Sequence, residues 1–476
     1  MSSGFACCKR VARLVMGFLL ISASWSLALG RAAGQGDTAK RDECRVEAVD
    51  YKGWHAQQVA NRWVQLVVVP QNGGRLIQVR FAGHPYLFVN PKLAGKYLPP
   101  ATDHWFNYGG DKIWLLPEGN DDEQHWVGNS DILDDGPFTF RKISEGKTCD
   151  IEMMGPQDPQ TGVQIVRTIT IEPDSPRIRF RAVMKNITGH SLDWSMQSVS
   201  QYDTSAGGTA GTEANLPNPR FNRDFWTFTP ANPSSSYLNR YHVRFGPAQN
   251  PAVRVRSDGL FTVHYVHVAA ELWLDSKEGW VAVVDGTTRY AMVERFRYEE
   301  NATYPGKASV IFWTNGPEMK LSDEGIPSMS ADSDAGPYYL EAELNSPMCH
   351  LRPGESCALE TEWFPTRAGS DFRSATEAGV VMRPLEAVDA GNGKMKLSGS
   401  FGVFFAGSLV ARLYDEHGRS LGSMPVVNVS PAEPVSLDTE LSLKSKAARV
   451  SLHLEDENGV DRGSLGEVRI GEGDHR

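Results

Sequence analysis

The chain has 476 residues, 41% of them hydrophobic and 22% charged, with a formal net charge of −10. That length exceeds one ordinary core, so two or more domains are expected. The acidic balance excludes nucleic acid and anionic membranes as natural partners, because both reward basic patches; neutral ligands suit such a surface better.

Residues 1–30 read as a signal peptide. Lys9, Arg10 and Arg13 precede an apolar run over 14–21 and a mixed stretch to Leu29, shorter than the roughly 18 apolar residues of a transmembrane helix. Cleavage is expected after Ala28-Leu29-Gly30, with a site near Ala33 as the alternative, leaving a secreted or periplasmic protein with no membrane span. The signal holds three basic residues and no acidic one, so 45 Lys and Arg remain against 58 Asp and Glu, a net charge of −13. Cys7 and Cys8 leave with it. Cys44, Cys149, Cys349 and Cys357 remain, an even set for an oxidising compartment. Of three pairings, Cys44–Cys149 and Cys349–Cys357 are favoured. The second would cross a late hairpin, in which a three-residue loop Arg352-Pro353-Gly354 sets the two cysteines opposite each other.

From there almost every periodic segment alternates with period two: 64–69, 75–81, 163–171 and 177–183, separated by turn clusters at 72–74, 173–176 and 186–189. This predicts an all-β chain. Between them, His104, Trp105, Tyr108, Trp114, His125 and Trp126 are interleaved with Asp111 and Lys112. Rings with an apolar face and a polar tip suit half-wet sites, and sugars present both C–H faces and hydroxyl edges. Gly109-Gly110 predicts a sharp turn that displays Asp111 and Lys112. The acidic residues at 121–123, 131 and 134–135 lack the spacing of a calcium loop. No metal or cofactor is expected.

The most informative segment is Pro337-Tyr338-Tyr339-Leu340-Glu341-Ala342-Glu343-Leu344. Alternation turns Tyr338, Leu340, Ala342 and Leu344 to one side and Tyr339, Glu341 and Glu343 to the other, with the two carboxyl-bearing residues roughly 6.6 Å apart along the strand. Carboxyls that close raise each other's pKa, which marks a place for proton transfer. Residues 366–390 then read as a polar linker, and 391–476 as a small immunoglobulin-like β-sandwich that serves as spacer or packing partner.

Three segments carry a family resemblance: Gly73-Gly74-Arg75-Leu76 with Phe81-Ala82-Gly83 and Leu87-Phe88; Asn107-Tyr108-Gly109-Gly110-Asp111-Lys112-Ile113-Trp114; and the Glu strand followed by Leu351-Arg352-Pro353-Gly354-Glu355. Residues 44–365 resemble the galactose mutarotase-like (aldose 1-epimerase-like) superfamily, most of all a secreted branch of it. The resemblance implies a large β-supersandwich, Glu341 in the place of the catalytic base, Arg75 as the early arginine and Tyr108 in the slot of a sugar-binding histidine. The epimerases also place an acid histidine on a strand whose counterpart here, 194–202, has none; His125, His264 and His267 are the available substitutes. The first expectation is therefore a carbohydrate-binding protein for a mono- or oligosaccharide. The second is a sugar 1-epimerase, or a glycan hydrolase or lyase, with Glu341 as general base. The third is a structural envelope-assembly protein.

Overall fold

The computed structural model describes residues 43–100, 106–118, 132–207, 220–317, 320–321, 327–328, 336–443 and 445–471. Among them, antiparallel strands form a twelve-stranded sheet, a ten-stranded sheet, two four-stranded sheets and a two-stranded ladder. The chain is all-β. Val64–Val69, Arg75–Phe81 and Val163–Ile171 lie where the alternation predicts strands, and the fourth runs slightly later, Ile178–Asn186. In Val163–Ile171 buried and half-buried residues alternate without a break; apart from Arg167, its inward side chains are β-branched and fit a pleated, half-buried surface.

The two large sheets face each other across a core that includes Leu66, Phe81, Ile169, Phe180, Leu340 and Trp363. Two polar links cross this core. Asp111 accepts hydrogen bonds from Ser198 and Ser200, at 3.3 and 3.1 Å, and forms an ion pair with Arg167 of the ten-stranded sheet. Tyr202, in Leu192–Asp203, donates its hydroxyl hydrogen to Glu294 in the opposing strand Tyr290–Phe296.

Both favoured disulfides form, with Cα–Cα distances of 5.8 Å for Cys44–Cys149 and 6.5 Å for Cys349–Cys357. Each ties one large sheet to the other. The expected hairpin at the second bridge is replaced by something different: Cys349–Leu351 pairs with Leu192–Asp203 in the twelve-stranded sheet, while Ser356–Arg367 pairs with Ile178–Asn186 in the ten-stranded one. The turn between them is tight, with the Glu355 N–H donating to the Arg352 carbonyl at 3.0 Å and Gly354 at φ 79°, as a Pro-Gly type II turn requires. Its two arms enter different sheets, so the facing rule of a hairpin ladder does not govern the cysteines.

Residues 366–390, read as a polar linker, hold all but the last residue of the strand Gly379–Gly391 and bury Ala368, Phe372, Ala378, Val380 and Met382. Register shifts after Val381, Arg383 and Asp389 are bulges, and each breaks the period-two pattern that reveals a strand. The two four-stranded sheets that follow pack on the outer face of the ten-stranded sheet. Phe372 stacks on Phe228 at 4.8 Å and Phe404 on Phe364 at 4.7 Å, within one continuous apolar cluster that also takes in Trp280 and Val293. Among the described residues, no helix is long and apolar enough to cross a membrane.

Candidate functional site

The Glu strand is Tyr339–Asn345, in the interior of the twelve-stranded sheet between Leu192–Asp203 and Val310–Thr314. Leu340, Ala342 and Leu344 are wholly buried in the core. Alternation therefore turns Tyr339, Glu341 and Glu343 to the opposite face of the sheet. Directly paired residues share a face, so Gln201 and Trp313 flank Glu341, while Val199 and Ile311 flank Glu343. One strand further on, Lys112 is opposite Val199 and Trp114 is opposite Gln197.

These neighbours engage the carboxyls. The Gln201 side-chain amide donates to Glu341 and that of Gln197 donates to Glu343. The two carboxyls face the same way two residues apart on one strand, close enough for each to shift the other's pKa. Burial raises the pKa of Glu341, with Lys112 pulling it back. Burial also raises Glu343 well above the usual carboxylate range, and the negative charges of Glu341, Glu271 and Glu118 push it further. Glu343, only 7% exposed, is therefore the carboxyl pushed further toward its neutral form, and the half-buried Glu341 is the acceptor that faces outward. Trp114 and Trp313 stand half-buried on either side.

Lys112 is held by its neighbours on that face. Its Nζ lies 3.5 Å from Asp134 Oδ1 and 3.7 Å from the centroid of the Trp114 ring. Burial lowers its pKa and Asp134 opposes that fall. Arg75 reaches Asp134 at 2.8 Å and Asp135 at 3.5 Å, both presented by the short helical turn Ile132–Asp135. Burial, then the charge of Asp134, raises Asp135 to about 7. Two cations and two acids thus form one buried cluster beside the carboxyl pair on the same side of the sheet, and the early arginine belongs to it.

The other expected residues are distributed differently. Asp111 is the neighbour of Lys112 in the strand Asp111–Leu116, so it points to the other face, into the core against Arg167. Gly109 and Gly110 do adopt positive φ, 89° and 79°, but they deliver the chain into a strand rather than a display turn. A β-carbon on Gly110 would lie 2.6 Å from the Leu76 carbonyl oxygen. Tyr108 is packed in an apolar cluster with Trp54, Val69 and Ile77, and its hydroxyl accepts the Leu98 N–H at 2.9 Å. His104, Trp105, His125 and Trp126 lie outside the described residues. His264 stacks on Trp226 in the ten-stranded sheet, and His267 is buried against Tyr338 at 4.6 Å. The cation electrostatically coupled to Glu341 is Lys112.

Sequence reasoning passed over Gln197 and Gln201, on the strand searched only for a histidine, and Trp313, on a strand of five residues. Their alternation with core residues was the available signal. The arrangement can accept hydrogen bonds through Glu341, donate them through Glu343 and the two amides, and place apolar C–H surface against two indole rings.

No family model matches the sequence, and no curated protein matches it. Solved structures similar to it are repeatedly galactose mutarotase-like proteins. One from Lactobacillus casei has 10% identity over 65% of this chain and 99% of its own, with a TM-score of 0.42. One from Clostridium acetobutylicum has 9% identity over 68% of this chain and 99% of its own, at 0.41. A TPR-domain containing protein from Parabacteroides distasonis aligns with 13% identity and a TM-score of 0.43 over 66% of this chain; the chain spans 47% of that protein.

Proposed function

We propose that the protein is an exported carbohydrate-binding protein whose sugar site is the outer face of the twelve-stranded sheet around Glu341 and Glu343. The observation that carries this is the pair of neighbouring carboxyls on one sheet face, each held by a glutamine amide and bordered by Trp114 and Trp313. A sugar hydroxyl finds both an acceptor and a donor there, and indole faces flank them. Two disulfides support an oxidising compartment. On this reading residues 44–365 form the binding unit, and the C-terminal sandwich supports it from behind the second sheet. Titration calorimetry with glucose, galactose, mannose, N-acetylglucosamine and their oligomers tests the reading; it is refuted if none of them binds at millimolar concentration.

A second reading has its own observation. Glu341 has a raised pKa and Lys112, with a lowered one, is coupled to it, so a base and an acid for opening a sugar ring share one face. Polarimetry on freshly dissolved α-glucose and α-galactose decides this. Mutarotation at the spontaneous rate with the wild type rules out the epimerase; acceleration that Glu341→Gln removes establishes it.

A further inference from the structure

The sheet face that carries the carboxyl pair continues in one direction as an aromatic surface. Beyond Val310–Thr314 come Ala270–Leu274 and then His242–Phe245. The register sets Glu271 opposite Trp313 and Trp273 opposite Ile311, then Phe245 opposite Glu271 and His242 opposite Trp273. Two cross-strand rows result: Glu341, Trp313, Glu271, Phe245 in one, and Glu343, Ile311, Trp273, His242 in the other. Phe245 stacks on Trp313 at 5.6 Å, and Tyr237 stacks on His242 at 5.8 Å. Trp273 donates its Nε1 hydrogen to Glu271, which fixes the ring. This surface meets solvent: Phe245 is 39% exposed, His242 is exposed, and Trp273 and Trp313 are half-buried.

From His242–Phe245 to Asp111–Leu116 there are five interstrand steps, about 24 Å at about 4.8 Å each. That is much longer than one pyranose ring. The carboxyl pair stands inside the span, two strands from the Trp114 end and three from the Phe245 end. Three observations select the occupant. Aromatic faces recur along the span with hydrogen-bonding carboxyls between them, the alternation that linked sugar rings present as C–H faces and hydroxyl edges. Glu271, Glu341 and Glu343 sit in the middle of the surface, whereas the centre of a protein–protein interface is depleted of acidic residues. The negative charges of Glu341 and Glu271 repel sugar acids and sulfated glycans.

We propose that this face binds a neutral oligosaccharide laid across the strands, from Phe245 and Trp273 at one end to Trp114 at the other, with an internal sugar over Glu341 and Glu343. The proposal rests on the carbohydrate reading and specifies the length and charge of the ligand. A monosaccharide occupies only the middle.

The test is calorimetric titration of the whole mature chain with ladders from glucose to cellohexaose, maltohexaose and laminarihexaose, and with trigalacturonic acid. Trp273→Ala removes the far platform. The Trp273 ring packs so closely on Gly306 that a β-carbon there would overlap it, so the more exposed Phe245→Ala serves as a second variant insensitive to that packing. In at least one ladder affinity should rise with length, by about tenfold or more between the monosaccharide and the hexaose, a gain of about 1.4 kcal/mol or more. Each variant should cut the hexaose gain severalfold and weaken monosaccharide binding much less, and trigalacturonic acid should bind more weakly than the neutral trimer. Equal affinity for monosaccharide and hexaose in all ladders, or hexaose binding untouched by both variants, overturns the extended site and leaves the central sugar site standing. Binding of trigalacturonic acid as tight as the neutral trimer overturns the charge selection. Absence of binding by every sugar of every length overturns the carbohydrate reading itself.

Discussion

Glu294 gives the sharpest quantitative prediction. Its side chain is wholly buried between the two large sheets, accepts the Tyr202 hydroxyl hydrogen, and burial raises its pKa from 4.5 to about 8. In the folded protein at neutral pH it is therefore a neutral acid, while in the unfolded chain it is ionised. The folded state binds the extra proton, so its contribution is complete below about pH 4.5, falls as pH rises, and is fully lost above about pH 8. The slope is about 1.4 kcal/mol per pH unit within that window, which accumulates to roughly 5 kcal/mol across it. Glu294→Gln keeps an acceptor for Tyr202 and removes the titration. Urea unfolding between pH 5 and pH 7.5 should show wild-type stability declining more steeply than that of the variant, by about 1.4 kcal/mol per unit. Asp135, raised to about 7, adds a decline of the same sign to both proteins, so the difference between them isolates Glu294. Identical slopes would show that Glu294 is ionised in the fold.

Three more outcomes follow from the packing. Opening the Cys44–Cys149 bridge, whose sequence separation is 105, should cost about 4.7 kcal/mol, and opening Cys349–Cys357, whose separation is 8, about 2.5 kcal/mol; Cys44→Ser and Cys357→Ser compared by urea unfolding should fall in that order, and the reverse order would contradict it. Arg167→Met strands Asp111 in the core and should cost about 3–5 kcal/mol, whereas the double variant with Asp111→Leu should recover part of the loss; a double variant less stable than the single one would refute this. A chain ended after Arg367 bares Phe228, Trp280 and Phe364, so it should self-associate in size-exclusion chromatography; a monodisperse monomer would show that the C-terminal sheets only rest on that surface.

The sequence revealed those parts of the fold in which one periodicity holds without interruption. Leu340, Ala342 and Leu344 alternate with Glu341 and Glu343 over a regular strand, so the inward and outward sets could be read directly. The same rule applied to Asp111 and Lys112 would have separated them, but the double glycine before them read as a display turn, and the partner that draws Asp111 inward, Arg167, lies on a distant strand. The strand Gly379–Gly391 was hidden by its bulges. Gln197, Gln201 and Trp313 could not be recognised singly, because each gains its role from register: Gln201 and Trp313 meet at Glu341 only when three strands distant in sequence are laid side by side. The cluster of Arg75, Lys112, Asp134 and Asp135 has the same origin.

If the face bearing Glu341 and Glu343 is a sugar site, its ligand depends on the Glu341 carboxylate. The most direct measurement is parallel calorimetric titration of the wild type and Glu341→Gln with the tightest-binding sugar of the ladders. A charge-assisted hydrogen bond contributes about 1.5–3 kcal/mol, so the variant should bind about tenfold or more weakly while unfolding at an unchanged or higher temperature. Equal affinity in the two proteins would contradict the account, since the ligand would then be bound somewhere other than the carboxyl pair.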